Sequence, residues 1–189
     1  MNKLKLVPFS ERNMPIVLKW RNSSRIRSNM LDDSIISESS HRKFLSILAV
    51  DHSKEYFIVE LNDDPVACVY FTDLESTNVT WGCYIGAEKP IPGLFVGLVI
   101  LAAKFVFNRH QAKVLRSEVV SHNENPIKLN KFIGIPEKKR IGRTTVTGRK
   151  QEFIEYWLER SNFDSVLKRA YKIMPSSVKE VMETFVVEE

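Results

Sequence analysis

The sequence predicts a single α/β domain, an α+β arrangement in which about seven strands form a mixed sheet flanked by helices. Residues 56–61, 66–74 and 79–85 have strand-like composition and are joined by short polar turns, as in an antiparallel meander. A long apolar helix over residues 93–107 then leads to a strand over residues 113–120. Because a helical crossover places the strands at its two ends side by side and parallel, the predicted sheet is mixed.

Two helices and one strand are predicted before the meander. Residues 3–9 alternate apolar and polar side chains, which is typical of a first strand. Ser10 can cap a helix that carries Met14, Val17 and Leu18 on one face. A second helix is predicted over residues 37–50, where Phe44, Leu45 and Leu48 form the buried stripe.

The remaining elements follow the strand at residues 113–120. A short helix over residues 125–132 precedes a hairpin of residues 140–146 and 152–158, which turns at Thr147 and Gly148. The segment from Ser161 onward predicts two helices, which Pro175 separates. We therefore expect residues 1–160 to form the main domain and residues 161–189 to be a helical extension of the same domain.

Composition and charge limit the classes of function. The chain has 189 residues, of which 43% are hydrophobic, and its formal net charge is +5. Its first residues lack the apolar run of a signal peptide, and the longest uncharged stretch, residues 90–103, is too short to span a bilayer. We expect a cytoplasmic protein without a membrane partner. The basic residues at 138–150 are not interleaved with aromatic ones, so an anionic small molecule is expected rather than nucleic acid.

The two cysteines give no sign of chemistry. Cys68 and Cys83 each lie within an apolar strand-like run, and no Cys-x-x-Cys spacing occurs. Buried free thiols are therefore expected, rather than a disulfide, a metal site or a nucleophile.

The start of the helix at residues 93–107 has the character of an anion site. The first backbone N–H groups of a helix have no partner within it, and the helix dipole adds roughly half a positive charge at this end. A diphosphate is a natural ligand there. Further along, Asn123 and Asn130 belong to an Asn-x5-Leu-Asn-x3-Gly-Ile pattern that ends at Ile135.

These two features resemble the GCN5-related N-acetyltransferases. The resemblance implies that acetyl-CoA is the co-substrate, that the sheet is splayed between strands 4 and 5, and that no metal is needed. Pantetheine would pair with the strand at Tyr84, an N–H near Ile85 would polarise the thioester, and Asn123 and Asn130 would hold the pantetheine amides. The pyrophosphate would bind at the turn and the helix start, formed by Gly93, Leu94, Phe95 and Val96.

The chain departs from the family pattern at two positions. Where many relatives carry a tyrosine that protonates the leaving thiolate, this chain has Asn130, which can donate a hydrogen bond but cannot release a proton near neutral pH. Tyr84 and Tyr70 are candidates for a replacement acid. In the phosphate turn, Phe95 stands where the family has a small residue, and its ring could crowd the pyrophosphate.

The first third of the chain narrows the resemblance. Trp20-Arg21-Asn22, Met30 and His41-x-x-Phe44 resemble the N-acetyltransferases of bacterial pseudaminic acid biosynthesis, which acetylate an amino group of a UDP-linked sugar. The resemblance implies that Arg21, Met30 and His41 line a nucleotide pocket. From the residues alone, Arg21 is equally a charge at a helix C-terminus, His41 a solvated helical residue and Met30 a core residue. The tripeptide also occurs in ribosomal-protein acetyltransferases.

Two further residues are candidates for catalysis through the same resemblance. Glu118 would face the acceptor amine and take its proton, and Thr72 would place a hydroxyl across the cleft. The alternatives are a surface Glu118 paired with Arg116 or Lys113, and a Thr72 that reflects only β-propensity.

Together these features predict an N-acetyltransferase that acts on a primary amine of a nucleotide-linked amino sugar, in a chain that could be a homodimer. The alternatives are a protein N-acetyltransferase of the ribosomal type and an inactive CoA-binding module. Phe95 and Asn130 favour the inactive module.

Overall fold

The computed structural model describes residues 3–188, which form one eight-stranded sheet in the order β6-β7-β5-β4-β3-β2-β1-β8. The strands are β1 (Leu4–Pro8), β2 (Glu55–Leu61), β3 (Asp64–Thr72), β4 (Asn78–Ile85), β5 (Val114–Val120), β6 (Glu137–Thr144), β7 (Lys150–Glu159) and β8 (Val186–Val187). The helices are α1 (Met14–Asn22), α2 (Ser24–Arg27), α3 (Glu38–Leu48), α4 (Leu94–Arg109), α5 (Glu124–Ile133), α6 (Phe163–Ile173) and α7 (Ser176–Glu183). The mixed α/β class is as predicted.

Helix α4 lies at the centre of the hydrophobic core. Phe105 stacks on Phe71 of β3 with ring centroids 4.6 Å apart, so one face of the helix packs on the sheet. A Cβ atom at Gly97, on another face, would meet Val178 and Met182 of α7. Because α4 is covered on both sides, twelve of its sixteen residues are buried, and this explains why its sequence is apolar all round.

The sheet is splayed between β4 and β5, as predicted. These parallel strands pair at only three positions, from Asn78 with Val114 to Thr80 with Arg116. Beyond them, β4 continues to pair with β3, whereas β5 pairs along its whole length with β7. The backbone on the facing edges of both strands is therefore left open to a ligand.

The segment after residue 160 adds one strand more than predicted. It forms the two expected helices, and then Val186 and Val187 pair in parallel with Lys5 and Leu6 of β1. A strand of two residues carries too little periodicity to be predicted from the sequence. This is why seven strands were expected and the sheet has eight. Within residues 3–188 no helix is both long and apolar enough to cross a membrane.

Candidate active site

A cleft of about 200 Å³ lies where β4 and β5 separate, and we call it the splay cleft. Strands β4 and β5 form two of its walls, and residues of α4 and α5 also line it. Its lining includes Trp81, Gly82, Cys83, Phe95, Val99, Ser117, Glu118, Val119, Val120, Asn123, Asn130 and Phe153. The cleft therefore brings together five of the predicted site residues, which are Met30, Phe95, Glu118, Asn123 and Asn130.

The register of β4 leaves backbone donors facing the cleft. In an antiparallel pair, alternate residues bond to the partner strand, and the N–H of Gly86 donates to Val66 at 2.9 Å next to β3. It follows that the N–H groups of Ile85 and Cys83 point away from β3, towards the side on which β5 has separated. The N–H of Ile85, which the resemblance implied as the oxyanion donor, is thus on the open edge of the strand, and Cys83 provides a second N–H there.

The first turn of α4 also offers backbone donors. The N–H of Leu94 donates to Ile91 at 3.1 Å, and the N–H of Gly97 donates to Gly93 at 2.9 Å. Among the described residues no such bond is made by the N–H groups of Phe95 and Val96, so these two can bind an anion. The side chains of Leu94 and Val96 are buried, and only their backbone is available.

Gly93 is required by its conformation and by its packing. Its φ of 79° lies in the left-handed region that favours glycine, and a Cβ atom there would meet the ring of Pro175. The extension beyond residue 160 therefore supports the phosphate turn from behind.

The two departures from the family pattern both face the splay cleft. Phe95 is half-buried and forms part of the wall beside Val99. Asn130 is only 5% exposed, and within residues 3–188 its side-chain amide has no hydrogen-bond partner, so it is free to bind a ligand in the cleft.

Glu118 is held by an arginine that the sequence did not suggest. Its two carboxylate oxygens accept hydrogen bonds from Arg143 of β6, each at 2.6 Å. Neither Arg116 nor Lys113, the partners considered from the sequence, forms this pair. A bidentate guanidinium fixes the orientation of a carboxylate, and here it holds Glu118 at the edge of the cleft.

Thr72 lies outside the splay cleft. Its hydroxyl donates to Asp73 at 3.3 Å, next to Thr80, which donates to the same carboxylate at 2.8 Å. Arg116 completes this polar cluster through Thr80 at 2.6 Å. Thr72 is thus engaged at the paired end of β3 and β4 rather than at the splay.

A second, larger cavity of about 560 Å³ lies against Tyr56, Tyr70 and Tyr84 of β2, β3 and β4, and we call it the aromatic cavity. The three residues expected in the nucleotide pocket all line this cavity. They are Arg21 of α1, Met30 of the loop after α2 and His41 of α3. The rest of its lining is Phe9, Val17, Leu31, Asp32, Ser34, Ile36, Ser40, Phe44, Tyr56, Tyr70 and Tyr84.

Stacked rings form one wall of this cavity. Tyr56 and Tyr70 lie parallel with centroids 5.0 Å apart, and Phe44 meets Tyr56 edge-on at 5.1 Å. Burial raises the pKa of Tyr56 to about 12, and burial also raises the pKa of Tyr70 and Tyr84, so all three hydroxyls stay protonated at neutral pH. Tyr84, suggested for cofactor binding, has its side chain in this cavity.

Two buried nitrogen atoms of the aromatic cavity, Nη1 of Arg21 and Nε2 of His41, have no hydrogen-bond partner among residues 3–188. The other terminal nitrogen of Arg21 donates to the carbonyl of Asp32, which fixes the guanidinium. Burial lowers the pKa of His41, and the charge of Glu11 opposes this only partly, so the imidazole is neutral near pH 7. Unsatisfied buried polar atoms are rare in native proteins, and here they indicate a polar ligand.

The two cavities meet at one place. Met30, Leu31 and Tyr70 line both of them. The Tyr70 ring lies over Gly82, its partner on β4, and its hydroxyl occupies the space that a Cβ atom at residue 82 would need. The two cavities therefore share a boundary that Met30, Leu31 and Tyr70 form.

The loop of residues 28–36 supplies Met30, which the family resemblance implied, and Leu31, which no sequence pattern indicated. We call it the roof loop. Asn22, the last residue of the Trp-Arg-Asn tripeptide, binds both the N–H and the carbonyl of Ile36, at 2.8 and 2.9 Å. Trp20 packs on Gly86 at the end of β4, where a Cβ atom would collide with the indole ring. The tripeptide thus joins α1 to the roof loop and to the sheet.

Neither cysteine takes part in this arrangement as a nucleophile. Cys68 is buried and Cys83, at the cleft wall, is partly buried; both thiols are free. Burial raises the pKa of Cys83 to about 12, which keeps it protonated. In residues 3–188 no three His, Cys, Asp or Glu side chains are grouped so that they could hold a metal ion.

Known proteins with a similar fold are N-acetyltransferases. The spermidine N-acetyltransferase of Vibrio cholerae, solved with CoA and spermine, superimposes with a TM-score of 0.77 at 16% identity, over 85% of this chain and 98% of that one. The acetyltransferase AAC(6')-Ib, solved with ribostamycin and coenzyme A, gives 0.70 at 16% identity, over 86% of this chain and 96% of its own. The chain has the GCN5-related N-acetyltransferase fold.

Sequence similarity points to one branch of that superfamily. No family model matches the chain. Acetyltransferase PseH of Campylobacter jejuni subsp. jejuni serotype O:23/36 is 26% identical over 129 residues, which is 67% of this chain and 80% of that protein. The predicted superfamily and the enzyme class of an acyltransferase are thereby supported, and the chain is similar to the PseH acetyltransferases, whereas the acceptor is not identified by these relatives.

Proposed function

We propose that the protein transfers the acetyl group of acetyl-CoA to a primary amine of a nucleotide-linked amino sugar. The observation that carries this proposal is the pair of unsatisfied nitrogens, Arg21 Nη1 and His41 Nε2, in a cavity walled by stacked aromatic rings. A nucleotide offers what these groups lack, because its base can pack on aromatic rings while its carbonyl and phosphate oxygens accept hydrogen bonds.

The charge of the aromatic cavity distinguishes this acceptor from a polyamine. In the part of the chain that the structure describes, Asp32 is its only acidic lining residue, and Arg21 places a cation at the same surface. A polyamine carries several positive charges and requires several carboxylates, so a neutral or anionic acceptor fits better. The 560 Å³ of this cavity also exceeds what a small amine fills.

The splay cleft supports acetyl-CoA as the co-substrate. The N–H groups of Phe95 and Val96 would bind the pyrophosphate, and the free amide of Asn130, with Asn123, would hold the pantetheine chain. Acetyl-CoA supplies an activated acyl group as a thioester. The N–H groups of Ile85 and Cys83 would stabilise negative charge on the carbonyl oxygen of that thioester.

Direct transfer requires one proton acceptor from the protein. The amine forms a C–N bond to the carbonyl carbon, the C–S bond breaks, and CoA leaves as the thiolate. Glu118 would take the ammonium proton directly or through water, since its carboxylate lines the cleft and is oriented there by Arg143. The CoA thiol has a pKa of roughly 8.5, so the thiolate can leave without the tyrosine that Asn130 replaces.

The test is incubation with acetyl-CoA and a panel of UDP-, dTDP- and GDP-linked amino sugars, with release of free thiol as the measurement. Spermidine, an aminoglycoside and a peptide with a free N-terminus complete the panel. Turnover with a nucleotide-linked sugar above all others supports the proposal. Preference for the peptide would favour a protein acetyltransferase, and binding of acetyl-CoA without any turnover would favour an inactive module. The cytoplasmic location and a homodimer stay predictions.

A further inference from the structure

The roof loop is attached to the distant β6–β7 turn by a buried carboxylate. Asp33 is only 2% exposed. Its Oδ1 accepts the N–H of Thr147 at 2.9 Å, and its Oδ2 accepts the hydroxyl of Thr147 at 2.6 Å and Nε of Arg149 at 2.7 Å. These partners lie 114 and 116 residues further along the chain.

Two backbone carbonyls of the loop, those of Leu31 and Asp33, accept further hydrogen bonds. The N–H of Val146 donates to the carbonyl of Leu31 at 3.1 Å, and on the other side Arg27 donates to the carbonyl of Asp33 at 2.9 Å. Burial alone would raise the pKa of the Asp33 carboxyl, but the hydrogen bonds from Thr147 and Arg149 outweigh it and lower the pKa below its ordinary value. Asp33 is thus an ionised, fully bonded side chain.

The position of this contact matters because of what the loop carries. Met30 and Leu31 are two of the three residues that line both cavities, and Leu31 is hydrogen-bonded to the turn itself. Tyr70, the third, belongs to the rigid sheet. Tyr70 is therefore held in the wall between the two cavities by β3. Met30 and Leu31 are held there only by the contacts of the roof loop.

We propose that Asp33 is a positioning residue, which holds the roof loop against the β6–β7 turn so that Met30 and Leu31 form the wall between acceptor and cofactor. This rests on the function proposed above. Asp33 does not line either cavity, so it acts through the loop and not on the substrate. No bond of the substrates is made or broken by it.

The principal test is Asp33→Asn. An asparagine keeps the shape but has a single oxygen for three donors, and its amino group would face the hydroxyl of Thr147 or Arg149. If the roof loop of the variant is attached to the β6–β7 turn only about one tenth of the time, the apparent KM for the acceptor rises about tenfold. The kcat at saturation stays within about twofold. A uniform loss of kcat, or an unchanged KM, would overturn the proposal.

Asp51→Asn is the matched control. Asp51 also accepts hydrogen bonds in a turn, from the N–H and hydroxyl of Ser53 and from Lys54, and these contacts lower its pKa to about 2. It joins only residues close in sequence and lines neither cavity. We expect Asp51→Asn to leave the acceptor KM unchanged. The same rise in both variants would mean that lost stability, not loop position, is responsible, and the proposal would fail.

Hydrogen exchange tests the same contact without any substrate. Asp33→Asn should accelerate exchange in residues 28–36 and 145–149 together, and Thr147→Val, a milder change that removes one donor, should do so to a smaller extent. Unchanged exchange in both variants would refute the attachment even in a chain that acetylates none of the panel. Exchange could also be accelerated in the variants while the wild type turns over none of the panel. That result would refute the proposed function and the positioning role, but it would establish the contact between the loop and the turn.

Discussion

Glu118 and Arg143 form a bidentate ion pair across β7, although 25 residues separate them in the chain. Both side chains are about three-tenths exposed, so the pair is accessible from the mouth of the splay cleft. The proposed proton acceptor is therefore oriented by a neighbouring strand, and each partner can be tested separately.

Replacing Glu118 by Gln tests the base. The amide keeps the shape of the side chain but cannot accept the amine proton, so we expect kcat to fall by about 10² to 10⁴ near neutral pH. The deficit should shrink at high pH, where the substrate amine is already free. Thiol release measured from pH 6 to 10 decides this, and full activity of the variant across that range would remove Glu118 from the mechanism.

Arg143→Ala tests the orientation of that base. Without the guanidinium the carboxylate can rotate, and we expect kcat to fall by roughly tenfold, since misplacing a reacting group is costly. The double variant Glu118→Gln/Arg143→Ala should be no slower than Glu118→Gln alone. Arg140→Ala is the control, because Arg140 lies on the same strand but pairs with Glu137 and Glu152, outside the cleft. Additive losses in the double variant would show that Arg143 acts independently of Glu118.

Acetyl-CoA should stabilise the protein if the N–H groups of Phe95 and Val96 bind its pyrophosphate. At about 100 times its Kd, the ligand adds roughly 2.7 kcal/mol to the free energy of unfolding, which for a domain of this size raises Tm by about 5 to 10 °C. Adenosine, which has no phosphate, should give no comparable shift. The measurement is thermal denaturation with each compound, and the absence of any shift at millimolar acetyl-CoA would contradict the assignment of the cofactor site.

Arg21→Ala should weaken the acceptor without affecting acetyl-CoA. The unsatisfied Nη1 is buried, and loss of one partner of a desolvated charged contact costs about 2 to 5 kcal/mol, or roughly 30-fold or more in the acceptor KM. Arg25→Ala is the matched control, since Arg25 is exposed on α2 and lines neither cavity. Equal KM values for the two variants would reduce Arg21 to a charge at the end of α1.

His41 should make the free energy of unfolding depend on pH. In the folded protein burial lowers the pKa of His41 below 6.5, the ordinary value that it has in the unfolded chain. At a pH between the folded and the unfolded pKa, the unfolded chain therefore binds a proton that the folded chain does not. The His41 contribution to stability is therefore complete above about pH 7 and declines as the pH falls through 6.5 towards the folded pKa. Urea denaturation at pH 5 to 8 should show a steeper loss for the wild type than for His41→Gln. His52→Gln, at an exposed turn residue, serves as the control and should follow the wild type.

Local patterns were sufficient to predict most of the framework. The meander, α4 and the crossover to β5 follow from periodicity and from a turn at Gly93, whose left-handed backbone is itself a local property. The convergence of Arg21, Met30 and His41 on one cavity came from a resemblance and not from any spacing along a single helix or strand. Three segments that share no periodicity can be placed together only when a known family supplies the geometry.

The parts that the sequence could not predict all depend on contacts between distant residues. Arg143 is one of several basic residues on β6, and nothing local distinguishes it from Arg140. Asp33 looks like an ordinary loop carboxylate until the β6–β7 turn is placed beside it. Side-chain direction was also undetermined, because a phenylalanine at position 95 could equally have entered the core, whereas it forms part of the cleft wall.

The contact of Tyr70 with Gly82 has a consequence for engineering this enzyme towards other acceptors. A side chain at position 82 cannot be added while the Tyr70 ring lies over it, and a smaller residue at position 70 would open a gap between the two cavities. Single-site libraries at either position would therefore sample mostly inactive variants, because the two substitutions are coupled. Positions 70 and 82 should therefore be randomised together, so that a smaller side chain on β3 is matched by a larger one on β4. Such pairs can change the acceptor preference while the boundary between the two cavities is kept.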